Sequence, residues 1–118
     1  MKYFTHEEFD SPDSIDSGSN MDDSFLRMLD SAREAAGTPF RINSGFRTPK
    51  HNEKVGGSEN SSHLRGFAAD IQVTSNSTRY VILEALLNVG FNRIGVAETF
   101  IHVDADPIKT KNIIWTYA

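Results

Sequence analysis

The stretch SSHLRGFAADI, Ser61 to Ile71, decides how the chain is read. It places a histidine, a glycine and an aspartate in short order and runs into an alternating segment, FAADIQV. Side chains on a strand point alternately to two faces. Ala69, Ile71 and Val73 therefore share one face, and Ala68, Asp70 and Gln72 the other. A second segment, FIHVDA, repeats the pattern: Ile101 and Val103 point one way, Phe100, His102 and Asp104 the other. Two strands thus each offer an apolar face to a core and a ligand-competent residue on the opposite face, with His63 just ahead of the first. An unpaired charge at a strand centre is expensive to bury, so Asp70 needs hydrogen-bond partners or a cation. Singly, each residue has an ordinary explanation: His63 as a surface or core histidine, Asp70 as a hydrogen-bonded structural acid, His102 as a satisfied half-buried imidazole. Jointly, two imidazoles and one carboxylate plus a water describe an open catalytic zinc site. Such a metal lowers the pKa of its water to about 7 and polarises a carbonyl, which suits amide hydrolysis at neutral pH. That chemistry also asks for a base beside the water and a cation for the substrate or its oxyanion.

Working outward, the 118 residues are expected to form a single domain, residues 1–118. Cysteine is absent, which excludes disulfides and thiolate metal sites and leaves His, Asp, Glu and water as ligands. The net charge of −4 provides no basic face for nucleic acid. No apolar run is long enough to cross a membrane, and the opening MKYFTHEEFD lacks the apolar core of a signal peptide. The expectation is a monomer made in the cytoplasm, with neither nucleic acid nor membrane as partner.

The acidic segment DSPDSIDSGSN reads as a solvated loop. Met21, Phe25, Met28, Leu29, Ala32 and Ala36 then recur at helical spacing, with Asn20 as N-cap and Gly37 as stop. PFRINS is a short strand, and a short helix is expected from Thr48-Pro49 to Gly56-Gly57. A second main helix runs from Ser75 or Asn76 to Gly90, with Ile82, Leu83, Leu86 and Val89 on one face. FNRIGVA and FIHVDA suit a hairpin, and the tail NIIWTY a last edge strand or docked segment, with Trp115 packed on the domain edge or walling a groove. This irregular interleaving predicts an α+β domain with a small, mainly antiparallel sheet and two main helices.

SGFRTPKHN, GGSENSSHLRGFAADI and FIHVD resemble the zinc D-Ala-D-Ala carboxypeptidases, peptidoglycan peptidases that include phage endolysins and share a fold with Hedgehog signalling domains. Ser61, His63, Gly66, Ala68 and Asp70 meet the signature S-x-H-x-x-G-x-A-x-D, and His102 and Asp104 meet H-x-D. The resemblance runs from Phe40 to Asp104, and YFTHEEF also looks like the family's start. It implies a Hedgehog/DD-peptidase-like fold, a peptidoglycan peptide as substrate, and zinc as cofactor on His63, Asp70 and His102. Arg47, in SGFR, would grip the substrate carboxylate or the developing oxyanion through parallel hydrogen bonds. Ser61 would join the substrate-binding residues, and Asp104 would orient a metal ligand from behind. Several relatives carry an acid three residues before the last ligand; here Thr99 stands there and cannot act as a base near pH 7. Glu98 is the preferred base if the strand extends back unbroken, with Asp104 and His51 as alternatives. The function expected is hydrolysis of wall peptides after release from the producing cell, as by a phage product. A zinc-stabilised module that binds without cleaving, or a phage structural domain retaining the fold, are the competing expectations.

Overall fold

A computed structural model describes residues 1–117. Helix α1, Asp23–Ala36, begins where the Asp22 carboxylate accepts the Phe25 N–H and ends where Gly37 turns left-handed. The expected cap, Asn20, lies instead in a 3-10 turn, Ser17–Asn20, just ahead of the helix. Asp22 both satisfies an orphan N–H and favours the positive end of the helix dipole, so it wins the position. The acidic front is a loop with Asp13 and Asp16 exposed, as expected, but it is tied down by its own carboxylates. Asp10 accepts the N–H groups of Gly18 at 2.7 Å and Asp16 at 3.2 Å. Asp13 accepts the hydroxyls of Ser11 and Thr48. Asp10 thus pairs backbone of the turns, and Asp13 links this loop to the start of the helix Pro49–Lys54 through the Thr48 hydroxyl.

Helix α2, Pro49–Lys54, is short, capped by Thr48 and opened by its proline. Helix α3, Asn76–Asn88, is capped by Ser75, whose hydroxyl accepts the Thr78 N–H. The five strands are β1 Ile42–Ser44, β2 Ala68–Gln72, β3 Arg93–Val96, β4 Phe100–Asp104 and β5 Ile113–Thr116. They lie in the order β1-β2-β4-β3-β5, antiparallel except for the parallel pair β3–β5. The result is the expected α+β architecture with two main helices, and the tail is an edge strand. Phe25, Leu26 and Leu29 of α1 and Ile82 and Leu86 of α3 meet Ala69, Ile71, Ile94, Ile101 and Val103 of the sheet in one core. Among the described residues no helix is long and apolar enough to cross a membrane.

The opposite face of the sheet carries polar residues in a single cross-strand row. Ser44 pairs with Asp70, Asp70 with His102, His102 with Gly95, and Gly95 with Trp115. His63 reaches this row from a 3-10 turn, Ser62–Arg65, which Ser61 caps and Gly66 ends. Gly66 has φ +78°, and a Cβ there would stand 2.3 Å from the Asn20 carbonyl oxygen. Its own carbonyl accepts the Asp22 N–H at 2.9 Å, so this glycine joins the histidine turn to the start of α1. Gly66→Ala therefore combines left-handed strain with a backbone clash and is expected to cost at least about 2 kcal/mol. Urea denaturation of the two proteins measures the difference.

Candidate metal centre

His63, Asp70 and His102 each offer a ligand atom, all within 4.8 Å of one another. The His63 Nδ1 lies 2.7 Å from the Gly45 carbonyl oxygen, which can only accept, so Nδ1 carries the proton. Its Nε2 then presents a lone pair to Asp70 Oδ1 at 3.3 Å. The His102 Nε2 lies 2.7 Å from Asp104 Oδ2 and donates to it. That leaves the His102 Nδ1 facing the same Asp70 Oδ1 at 3.0 Å. Two imidazole lone pairs and a carboxylate oxygen thus converge on one point, an arrangement that repels itself unless a cation or proton sits between. The two distances to Asp70 Oδ1 lie close to the edge of a tetrahedral zinc shell, about 3.3 Å. The residues fit a divalent metal.

Without a metal, the same contacts favour a proton on His102. Burial alone would push the His102 imidazole down, but its bonds to Asp104 and Asp70 outweigh that and hold it above the ordinary histidine value. Burial likewise opposes ionisation of Asp70, yet hydrogen bonds and attraction from His102 and His63 hold its carboxyl far below the usual range. Asp104 is also held low against burial, by His102 and by Arg93, whose Nε donates to it at 2.7 Å.

Around this group lies a cavity of about 340 Å³, lined by Arg47, Ser61, Asp70, Arg93, His102, Lys109, Trp115 and Tyr117 among others. Arg47 donates to Ser44 Oγ at 3.0 Å, Asn52 Oδ1 at 3.2 Å and Asp70 Oδ2 at 3.3 Å, so its guanidinium is aimed beside the metal ligands. Ser61 lines the cavity while its hydroxyl oxygen accepts the His63 N–H at 3.2 Å. Trp115 stands as a wall, its ring 5.5 Å from that of His102. Gly95 makes this possible, since a Cβ there would meet the indole at 2.5 Å.

Residues 2–104 match the model of the peptidase M15 family. The chain belongs to the peptidase M15 family. It is also 39% identical over 67 residues to the zinc D-Ala-D-Ala carboxypeptidase of Streptomyces albus G, across 56% of this chain and 26% of that protein. The chain therefore spans about a quarter of that relative's length. M15 membership implies the Hedgehog/DD-peptidase fold, and the sheet with its two helices accords with it.

Within this M15 site, the structure brings together His63, Asp70, His102, Arg47, Ser61 and Asp104. It does not bring Glu98. A bend at Glu98 and Thr99 interrupts the chain between β3 and β4, and Glu98 is exposed and outside the cavity lining. The strand parity that would have aimed it at the metal stops at that bend. His51 sits on α2 beside a separate hollow with Pro12, Asp13, Lys50 and Lys54. Sequence reading missed Arg93 and Asp106. Arg93 shares a strand face with Gly95, so a buried cation there was signalled by parity alone. Asp106 accepts the Ser62 hydroxyl at 2.7 Å and pairs with Arg65, bracing the histidine turn against the end of β4. Its only signal was a second acid two residues after Asp104.

Asp104→Asn is expected to weaken zinc binding by about 10- to 100-fold, read by competition with a chromophoric chelator. A second expectation concerns pH. Because the folded His102 value is raised, its contribution is complete below about 6.5, the unfolded value, and is lost as pH climbs through the folded one. The melting temperature of chelated protein should fall as pH rises above that value, and zinc should remove the fall by displacing the proton.

Proposed function

We propose that the chain is a zinc-dependent peptidase that hydrolyses peptidoglycan stem or crosslink peptides, with D-Ala-D-Ala as the first bond to test. The observation that supports this best is the convergence of three acceptor atoms on one point, with their remaining protons already committed to Gly45 and Asp104. A bound zinc supplies an activated water and polarises the substrate carbonyl. The protein's own residues do the rest. Asp104 holds the Nε2 proton of His102 and so keeps Nδ1 free to ligate. Arg47, fixed by Ser44 and Asn52, holds the substrate carboxylate or the oxygen that becomes negative. Trp115 and Tyr117 wall the cavity and limit solvent around the reacting amide. The name of the Streptomyces relative supports D-Ala-D-Ala. The proposed setting is the bacterial wall, reached after release from the cell that makes the protein, as for a phage lysin.

One observation favours a second reading, a zinc module that binds wall peptide without cleaving it. Among the described residues, the only carboxylates lining the cavity are Asp70 and Asp104, and both are engaged. No further acid stands ready to move a proton.

Metal content and hydrolysis of D-Ala-D-Ala-terminated peptides, measured on one preparation before and after chelation, separate the readings. The peptidase reading expects about one zinc per chain, loss of cleavage on chelation, and recovery with zinc. Arg47→Ala should keep the metal and lower kcat/KM by about 100-fold. Zinc without cleavage of any stem peptide selects the binding module. Absence of metal binding overturns both.

A further inference from the structure

Three cations line the cavity, Arg47, Arg93 and Lys109, in a chain whose net charge is −4. Two of them are held by the protein itself. Arg93 donates to Asp104 and to the Thr110 carbonyl, and its guanidinium lies 5.3 Å from the Trp115 ring. Arg47 is fixed by Ser44, Asn52 and Asp70. Lys109 is different. The carboxylate at its Nζ is Asp106, at 3.9 Å, beyond hydrogen-bond distance. Asp106 is already satisfied: one oxygen takes the Ser62 hydroxyl and the Arg65 guanidinium, the other the Ile108 N–H. Lys109 is also no ordinary surface lysine. Its side chain is 24% exposed, against 70% for Lys2 in its pair with Glu34. Lys109 thus lines the cavity partly covered, with an ammonium of three donors that makes no hydrogen bond among the described residues.

We infer that Lys109 is a carboxylate-binding residue of this cavity, so that the peptide received there carries two carboxylates, one for Arg47 and one for Lys109. This rests on the reading above that the cavity receives peptide. Arg47 follows β1, whereas the Lys109 ammonium lies near Asp106, just past the end of β4, so the two cations reach the cavity from different elements. A peptide lying across the metal ligands with its C-terminal carboxylate at one cation presents an upstream acid to the other. Lys109 also lies beyond residues 2–104, the part that matches the family model.

The test uses zinc-loaded protein and ketomethylene isosteres of D-Ala-D-Ala-terminated peptides, which cannot be hydrolysed. One peptide carries glutamate upstream, a second carries glutamine, and a third carries glutamate linked through its side chain so that its α-carboxylate is free. Trp115, the chain's one tryptophan, lines the same cavity, so its fluorescence reports binding independently of catalysis. The better of the two glutamate peptides should bind about tenfold more tightly than the glutamine peptide, with the advantage reduced by salt. In Lys109→Met that ratio should collapse toward one while affinity for the glutamine peptide is kept, and Lys109→Arg should restore it. Which glutamate peptide wins tells whether a side-chain or an α-carboxylate is recognised. A ratio near one in the wild type, a ratio that survives Lys109→Met, or no binding of any peptide overturns the assignment. The expected ratios without hydrolysis of the corresponding amides uphold Lys109 and reject the peptidase reading instead.

Discussion

Asp70 Oδ1 faces two imidazole nitrogens whose protons point the other way. That single confrontation organises the surrounding structure. Each histidine needs a fixed acceptor behind it: the Gly45 carbonyl for His63 and Asp104 for His102. Asp104 in turn needs Arg93, and the His63 turn needs Asp106 to hold it against β4. The polar face of the sheet is a set of nested braces around one acceptor cluster. The opposite face is an ordinary apolar core that lets those braces be rigid.

Much of this was legible in the sequence because the informative positions sit on strands, where the period of two is strict. Ala69, Ile71, Val73, Ile101 and Val103 went to the core, and Asp70, His102 and Asp104 to the other face, as alternation requires. The strand order was not legible. Alternation says which face a residue takes but nothing of its neighbour, so the parallel pairing of β5 with β3 had no local signal. The cap of α1 was misplaced because several polar residues crowd the helix start, and only geometry decides which carboxylate reaches an N–H.

Glu98 and Trp115 mark the limit from two sides. Glu98 was placed near the candidate ligands by extending a parity across a bend, and three residues without strand geometry are enough to lose it. Trp115 was expected at the domain edge or as a groove wall, and it is both, on edge strand β5 and lining the cavity. What brings the indole over His102 is the missing side chain at Gly95, one strand away and twenty residues back in sequence. A glycine's absence of atoms acts here through a pairing that only the folded chain defines.

The chain has no cysteine, so no disulfide restrains its unfolded state. A cation shared by His63, Asp70 and His102 would join a turn to the two central strands and close the long loop that contains α3. Because those ligands meet only in the folded chain, the binding free energy of the ion adds to the stability of the fold, whereas a disulfide acts on the unfolded chain. The ion would then act as a removable staple, and the availability of metal would set how long the folded protein survives proteolysis as well as whether its site can work.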